Sequence, residues 1–455
     1  MKEHSSEYLD SLKAIIERHD EEEARKAIAD LHPADIAELY QDLDLEEAEF
    51  LYRLLDDETA ADVLMELDED DRHKLLSAMS TEDIARQVVH LDTDDAVDIM
   101  QELDEEDRDE ILAHIDDVEQ AGDIIDLLKY DEDTAGGLMG TEMIVVNENW
   151  SMPQCIQEMR RQAENLDDIY YVYVVDNDYR LLGVLPLKKM LTHPSVSKIK
   201  HVMETDPVAV KTDTPIDDLT LDFEKYDLVA MPVVDSIGRL VGQITVDDVM
   251  DEAREQSERD YQLASGLSGD VESDDTLFTQ TKARLPWLLI GILGGIGNSL
   301  ILGNFEGAFA VNPAMALFIP LIGGTGGNVG IQSSAIIVQG LANGSLDVKS
   351  SAKQIFKELG VGLLNASIIS LLVFVYNVFA LGPTQVTTIA VSLSLFAVVV
   401  FASVFGTFVP LTLEKFKIDP ALATGPFISI TNDIIGMVIY MLISSSLLAA
   451  FGTVA

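Results

Sequence analysis

The sequence is short of positive charge, of cysteine and, in its second half, of histidine. Only 30 lysines and arginines stand against 80 aspartates and glutamates in 455 residues, for a net charge of −50. That surplus argues against nucleic acid or anionic lipid head groups as partners, since both carry the same sign. The single cysteine, Cys155, excludes an intrachain disulfide. All eight histidines precede residue 202, and none falls in a zinc spacing. There is no GxSxG elbow, no Walker loop and no HExxH, so nothing recommends an enzyme. The opening MKEHSSEYLD, acidic and polar, predicts no secretory or transit segment.

The charge is unevenly spread. Residues 283–455 hold six basic and six acidic side chains, whereas residues 1–282 hold 24 basic against 74 acidic. A strongly acidic half therefore precedes a neutral, apolar one. The apolar half reads as five bilayer-length spans. The first is Leu285 to Asn304. The second, Ala314 to Leu341, is expected to be interrupted by Pro320 and the cluster Gly323-Gly324-Thr325-Gly326-Gly327. No charge falls between Leu359 and Leu413, a run long enough for two spans, with Leu381-Gly382-Pro383-Thr384-Gln385 as the turn. The fifth begins near Pro420.

Lys282 and Arg284 precede span one, Lys349, Lys353 and Lys357 follow span two, and Lys415 and Lys417 follow span four. All the positive charge thus falls on one side, which the positive-inside bias assigns to the cytoplasm. The acidic half is then cytoplasmic and the C-terminus external. Trp287 suits an interfacial ring at the first span.

Within the acidic half a twelve-residue period runs through Leu31, Leu43, Leu55, Leu67, Met79, Leu91, Leu103 and Ile115. Most are followed by a capping residue (Asp44, Asp56, Asp68, Ser80, Asp92, Asp104) and, three positions on, by another polar one. That is the start signature of a helix. Each unit is a helix of two to three turns, too short to stand alone, so the units must stack into a superhelical array. Many of the acids are accounted for as caps and solvated faces.

A second repeat has an offset of 59 residues. Val174-Val175-Asp176 and Arg180-Leu181-Leu182-Gly183-Val184 match Val233-Val234-Asp235 and Arg239-Leu240-Val241-Gly242-Gln243. Each copy reads as strand, helix, strand, turn, strand, then a helix at Leu187 or Val246. The pair resembles a tandem of CBS domains over residues 137–256. That resemblance implies an adenine-nucleotide site, such as one for ATP, at the last strand-to-helix turn, where Thr245 and Asp248 stand. The first copy has Pro186 and Lys189 there, which leaves at most one such site per pair.

Asp433 is expected about 20 Å along a helix that starts near Asp419, hence deep in the bilayer. An ionisable group there is costly and usually faces a pore or cavity; the plainer alternative is a protonated Asp bonded to a neighbouring helix. Its helical neighbours Gly425, Pro426, Ser429 and Gly436 form a small-residue stripe. In span two, Asn328 and Gln332 follow the glycines and would be costly without partners. They are expected to position a hydrated ion or to brace the backbone near Asp433. With Gly425, Ser429 and Asn432 they complete the expected pore lining.

Three segments carry a wider resemblance: Gly326-Gly327-Asn328-Val329-Gly330-Ile331-Gln332, Thr134-Ala135-Gly136-Gly137-Leu138-Met139, and Asp419-Pro420-Ala421 leading to Asp433. Along essentially its whole length the chain resembles the MgtE family of magnesium channels. The resemblance implies a multidomain membrane protein: an all-α superhelical N domain (1–132), α/β CBS domains (133–199 and 200–254), a connecting plug helix (255–282) and an α-helical five-span transmembrane domain (283–455). It further implies a homodimer in the bacterial inner membrane, with Asp433 of each subunit forming a Mg²⁺ site on the two-fold axis. Octahedral oxygen chemistry with retained waters fits one carboxylate per subunit. Co²⁺ or Mn²⁺ stays open as the cargo, and so does a membrane-bound divalent or nucleotide sensor that conducts nothing.

Asp248, Asp251, Glu255 and Glu258 share one helix face by spacing. The resemblance implies that this helix plugs the pore when cytoplasmic Mg²⁺ is high. The implied metal contributors are Asp94, Asp98, the Gly136 carbonyl, Asp227, Asp248, Asp251 and Asp419. Gln256 and Arg259 depart from the usual pattern of plug acids.

Overall fold

The computed structural model describes residues 6–451 apart from 41, 164–165, 167–168, 195–196, 270, 272–274, 344, 347–350, 383–385 and 424. Lys349 and the turn residues Pro383, Thr384 and Gln385 thus lie outside the described residues. The chain forms two compact units, Met1–Glu252 and Ala253–Ala455.

The first unit opens with short helices: α1 (Ser6–Glu17), α2 (Glu21–Ile28), α3 (Pro33–Tyr40), α4 (Leu45–Tyr52) and α5 (Asp57–Glu66). There follow α6 (Glu69–Ala78), α7 (Thr81–Val88), α8 (Thr93–Gln101), α9 (Glu105–His114) and α10 (Val118–Leu127). The twelve-residue period predicts α4 to α9 one by one. Asp44 and Glu47 make a reciprocal capping box, each bond 3.0 Å. Asp56, Asp68 and Ser80 likewise accept from the N–H three residues on. Asp92 and Asp104 make no such cap bond. The repeating apolar positions Leu64, Val88, Ile99, Met100 and Ile111 are fully buried in a shared core. Burial of each contributes about 1.5–3 kcal/mol, which helices of this length need from their neighbours.

Two small sheets follow. β1 (Ile144–Asn147), β2 (Val172–Val175), β3 (Leu181–Leu185) and β4 (Glu204–Thr205) form one, in that order. α11 (Met152–Gln162) and α12 (Leu187–Thr192) accompany it. β5 (Val210–Lys211), β6 (Ala230–Val234) and β7 (Leu240–Thr245) form the other, with α13 (Ile216–Tyr226). In both, the first pair is parallel and the next antiparallel. The 59-residue offset extends to single hydrogen bonds. Asp176 Oδ1 accepts from the Arg180 N–H at 2.9 Å, and Asp235 Oδ1 from the Arg239 N–H at 2.9 Å. The two turns also meet: Leu181 N–H donates to Gly238 O at 3.1 Å and Leu240 N–H to Tyr179 O at 3.0 Å. Tyr179 (φ 66°) and Gly238 (φ 86°) occupy the same left-handed turn position, at which only the glycine is unstrained.

α14 (Val246–Ser265) crosses the expected boundary at residue 254 without a break. The connecting helix is therefore the continuation of the helix that ends the second repeat, and not a separate element over 255–282. No glycine or proline interrupts it until Gly266, whose φ of 82° suits the residue just past a helix end.

In the second unit α15 (Leu277–Gly303) and α16 (Glu306–Val311) precede α17 (Ile319–Ala342). Then come α18 (Ser351–Ala380), α19 (Val386–Lys415) and α20 (Gly425–Phe451). Five helices among the described residues are long and apolar enough to cross a membrane. Two expectations are corrected. The second span is unbroken: Pro320 sits in the first turn of α17, where its missing N–H costs nothing, and the glycines continue as helix. They are held by packing, because Gly326 lies against Val398, and a methyl group on Gly406 of α19 would overlap the Gly330 carbonyl oxygen. The fifth span starts later than expected. Asp419 Oδ1 accepts the Ala421 N–H at 2.7 Å and caps a 3₁₀ turn, and α20 begins only at Gly425. Asp433 is thus eight residues, about 12 Å, into its helix and not about 20 Å.

Candidate functional site

Two places gather unusual chemistry, one in each unit. In the first, α8 starts at an acidic cleft. The Asp92, Asp94 and Glu142 carboxylates approach within 4.8 Å of one another. Thr93 holds Glu142 there: its N–H donates to Oε1 at 3.1 Å and its hydroxyl to Oε2 at 2.9 Å. Thr141 N–H donates in turn to the Thr93 hydroxyl at 2.9 Å. Across the cleft, Asp248 caps α14. Its Oδ2 accepts from the Thr245 hydroxyl at 2.5 Å and the Thr245 N–H at 3.2 Å. Asp95 and Asp247 complete the acidic lining of a cavity of about 240 Å³, and no lysine or arginine lines it among the described residues.

These acids perturb one another. Burial, then the charges of Asp248, Asp95, Glu142 and Asp92, hold the Asp94 carboxyl well above the usual range. Burial and the Asp248 and Asp98 charges push Asp95 up to about 7. Asp248 is raised by burial and by Asp247 and Asp251, while the Thr245 donors oppose the rise. Asp98, one turn further along α8, is also raised by burial, with Arg72 pulling the other way; its exposed edge lets water temper the effect. Such a group of carboxylates is held in a strained balance that protons or a divalent cation would relieve.

The other implied ligands lie elsewhere. Gly136 donates its N–H to Thr212 O at 3.0 Å and packs on Tyr130. Asp227 is the exposed, left-handed C-cap of α13. Asp251 is exposed on α14. Glu255 pairs with Arg259 at 3.5 Å and Glu258 with Arg254 at 4.0 Å along the same helix.

In the second unit, Asp433 Oδ1 is buried and finds no hydrogen-bond partner among the described residues. A Cβ on either Gly323 or Gly327 would stand 3.4 Å from that oxygen, so the carboxylate lies against the bare backbone of α17. Ser429 abuts Gly327 as well. Asn432 is 1% exposed, jammed against Gly330, with neither side-chain polar atom paired among the described residues. Asn328 and Gln332 are instead on the exposed side of α17, in one row with Gly324. Gly425 opens α20 at φ 43° against the carbonyl oxygen of Ala264, near the end of α14.

Comparison with known proteins bears on both places. The family model for the MgtE divalent cation transporter domain matches residues 319–443. That for the MgtE intracellular N domain matches 31–133, and the CBS model matches 135–195 and 199–255. The magnesium transporter MgtE of Thermus thermophilus is 36% identical over 331 residues, covering 71% of this chain and 72% of that one. The chain belongs to the MgtE family. The MgtE of Enterococcus faecalis is 30% identical over 336 residues, with 73% of each chain covered. A crystal structure of the cytosolic domain of the Mg²⁺ channel MgtE in complex with ATP shares 31% identity and a TM-score of 0.51; the match covers 54% of this chain and 99% of that one. As an MgtE family member, the chain is a multi-pass membrane protein with a soluble N-terminal region.

Sequence reasoning had marked Asp94, Asp98 and Asp248. It missed Asp92, Asp95 and Glu142, having assigned the first two to helix capping. The signal was there in part: Thr93-Asp94-Asp95 puts two acids directly behind an acidic cap. It also missed Glu358, whose Oε1 accepts from Ser333 of α17 at 2.7 Å and Ser403 of α19 at 2.6 Å.

Proposed function

We propose that this chain forms a Mg²⁺-selective channel of the bacterial inner membrane, closed by cytoplasmic Mg²⁺ bound in the acidic cleft. The observation that carries the pore reading is the partnerless Asp433 oxygen against the glycine face of α17. A carboxylate oxygen buried in a membrane helix without a protein donor has a need that a hydrated cation meets. In a homodimer two such groups would hold a divalent ion through its retained waters and release it again. The positive-inside bias supports a cytoplasmic acidic half and an external C-terminus.

The cleft supplies the gate. At low Mg²⁺ the facing acids of α8 and α14 repel, and the N-terminal array separates from the repeat pair. At high Mg²⁺ bound ions cancel that repulsion and fix the closed arrangement. A nearly complete switch takes about 5.5 kcal/mol of differential binding. Several sites worth on the order of 1 kcal/mol each would reach it together. α14 starts at the cleft and ends against Gly425, the first residue of the helix that carries Asp433. In this reading the signal passes along the chain through α14.

A nucleotide role at Thr245 and Asp248 is favoured by the relative crystallised with ATP. Here Asp248 already accepts two bonds from Thr245, so a ribose would compete with that cap. The test of the main reading is ion flux into liposomes, with Mg²⁺, Mn²⁺ and Co²⁺ compared, for the wild type and Asp433→Ala. Unchanged Mg²⁺ flux in the variant removes the pore assignment, and preferential Mn²⁺ or Co²⁺ flux reassigns the cargo. No flux in either protein leaves the sensor reading.

A further inference from the structure

One basic side chain is built into the acidic face that leads to the cleft. Arg72 of α6 donates from Nε to Glu102 Oε1 at 2.6 Å, with Nη2 2.5 Å from the same oxygen. Its Nη1 donates to the Leu67 carbonyl at 3.4 Å. The two side chains are only 16% and 13% exposed, so water screens this pair far less than the surface pairs of the same array. Glu102 Oε2 is buried with no hydrogen-bond partner among the described residues, which leaves Arg72 as the counter-charge that Glu102 has.

Glu102 stands four residues after Asp98 and eight after Asp94 at the end of α8. At that spacing the three acids lie in one row along the helix. One end of the row is the cleft; the other is held by the guanidinium. The reach of that charge along the row is visible at Asp98, where Arg72 opposes the neighbouring acids. The charges that act most on Asp94 and Asp95 are those of neighbouring carboxylates.

We infer that Arg72 sets the divalent-cation threshold of the cleft: it is a fixed internal positive charge, clamped by Glu102, that competes electrostatically with the bound ion and keeps the site from filling at low Mg²⁺. The inference rests on the reading of the cleft as a cation-operated switch. The physical reason is charge arithmetic. A divalent ion feels a nearby unit charge twice over, through partly buried protein, so removal of that charge strengthens binding severalfold. Arginine suits the task because it stays protonated and its fork fixes the charge in place.

The test is a Mg²⁺ titration of the full-length chain in detergent, read as protection of the α8–α14 region from protease and paired with flux in liposomes. Arg72→Gln is expected to lower the midpoint about three- to tenfold. Glu102→Gln, which removes the clamp's negative charge and leaves the guanidinium, should raise it. Arg72→Lys keeps the charge and should stay within about twofold of wild type, and Arg72→Gln with Glu102→Gln should return towards wild type. A merely structural arginine predicts weaker binding in Arg72→Gln and in Arg72→Lys alike, and that pattern overturns the inference. An unchanged Arg72→Gln midpoint overturns it as well. If Arg72→Gln fails to fold, Arg72→Lys still decides, because the inference leaves its midpoint within about twofold of wild type and a structural arginine raises it. A wild type with no Mg²⁺ midpoint sinks the reading of the cleft itself, and is distinguishable from a variant that fails to shift.

Discussion

Gly425 begins α20 where a Cβ would overlap the carbonyl oxygen of Ala264, two residues before the end bend of α14 at Gly266. Gly266 itself lies against Pro426. No other residue fits at Gly425 without displacing one helix or the other. Gly425→Ala must strain a left-handed backbone by about 1–2 kcal/mol and push the contact open. The expected outcome is Mg²⁺ binding at the cleft with an unaltered midpoint but a blunted effect on flux. Protease protection and liposome flux, measured on one preparation, check the split.

The cleft acids predict a pH dependence with a definite sign. Asp95 is raised from 3.8 to about 7, and Asp94 and Asp248 are raised too. A raised carboxyl favours the folded state while protonated. That contribution is complete below about pH 3.8 and is lost as pH rises through about 7. Without divalent ions, the protection of α8 amides, taken relative to an unstructured chain at the same pH, should therefore be lower at pH 8 than at pH 6. Mg²⁺ must displace those protons, so its apparent affinity should climb across the same window, by about tenfold per pH unit for each proton released. Exchange and titration at pH 6, 7 and 8 test both.

Asp248→Ala together with Asp251→Ala removes two negative charges from the first turns of α14. The variant should stay conducting at internal Mg²⁺ that closes the wild type. Equal inhibition of both proteins counts against the gate.

The repeat array was largely legible in the sequence, since each apolar position is followed by a local cap that fixes a helix start. The 59-residue duplication was legible for the same reason: its turns are closed locally by Asp176 and Asp235. What escaped was whatever depends on distant partners. Glu142 joins Asp92 and Asp94 only because Thr93 draws it in across the fold, and a one-dimensional pattern carries no trace of that bond. At Asp92 the cap rule misled, because the residue in the capping position faces a charged cleft and makes no cap bond. The glycine run of α17 misled in the opposite sense. Glycines that would weaken an isolated helix are here the surface on which α19 and α20 pack.

Two glycines of that run separate packing from helix propensity. Among the described residues nothing stands within 4 Å of a Cβ on Gly324, while one on Gly330 would overlap Asn432. Gly324→Ala should keep expression and flux near wild type, and Gly330→Ala should lose most folded protein. Size-exclusion profiles of the two variants in detergent read the difference.

Glu358 gives a further prediction. With two serine hydroxyls on one oxygen it joins α17, α18 and α19. Glu358→Ala strands both hydroxyls in a buried site at about 1–3 kcal/mol each. Glu358→Gln keeps an acceptor for them and should retain more folded protein. Thermal stability in detergent should rank the two in that order, and the reverse order would remove the bonding role given to this carboxylate.

α14 is a helix of 20 residues, about 29 Å long, with neither glycine nor proline from Val246 to Ser265. A rigid rod of that length is a lever. A tilt of about 10° at one end displaces the other by about 5 Å, close to the rise of one helical turn. In the gating proposed above, a small rotation of the first turn of α14 would reach its last turn as a displacement on the scale of a helical turn.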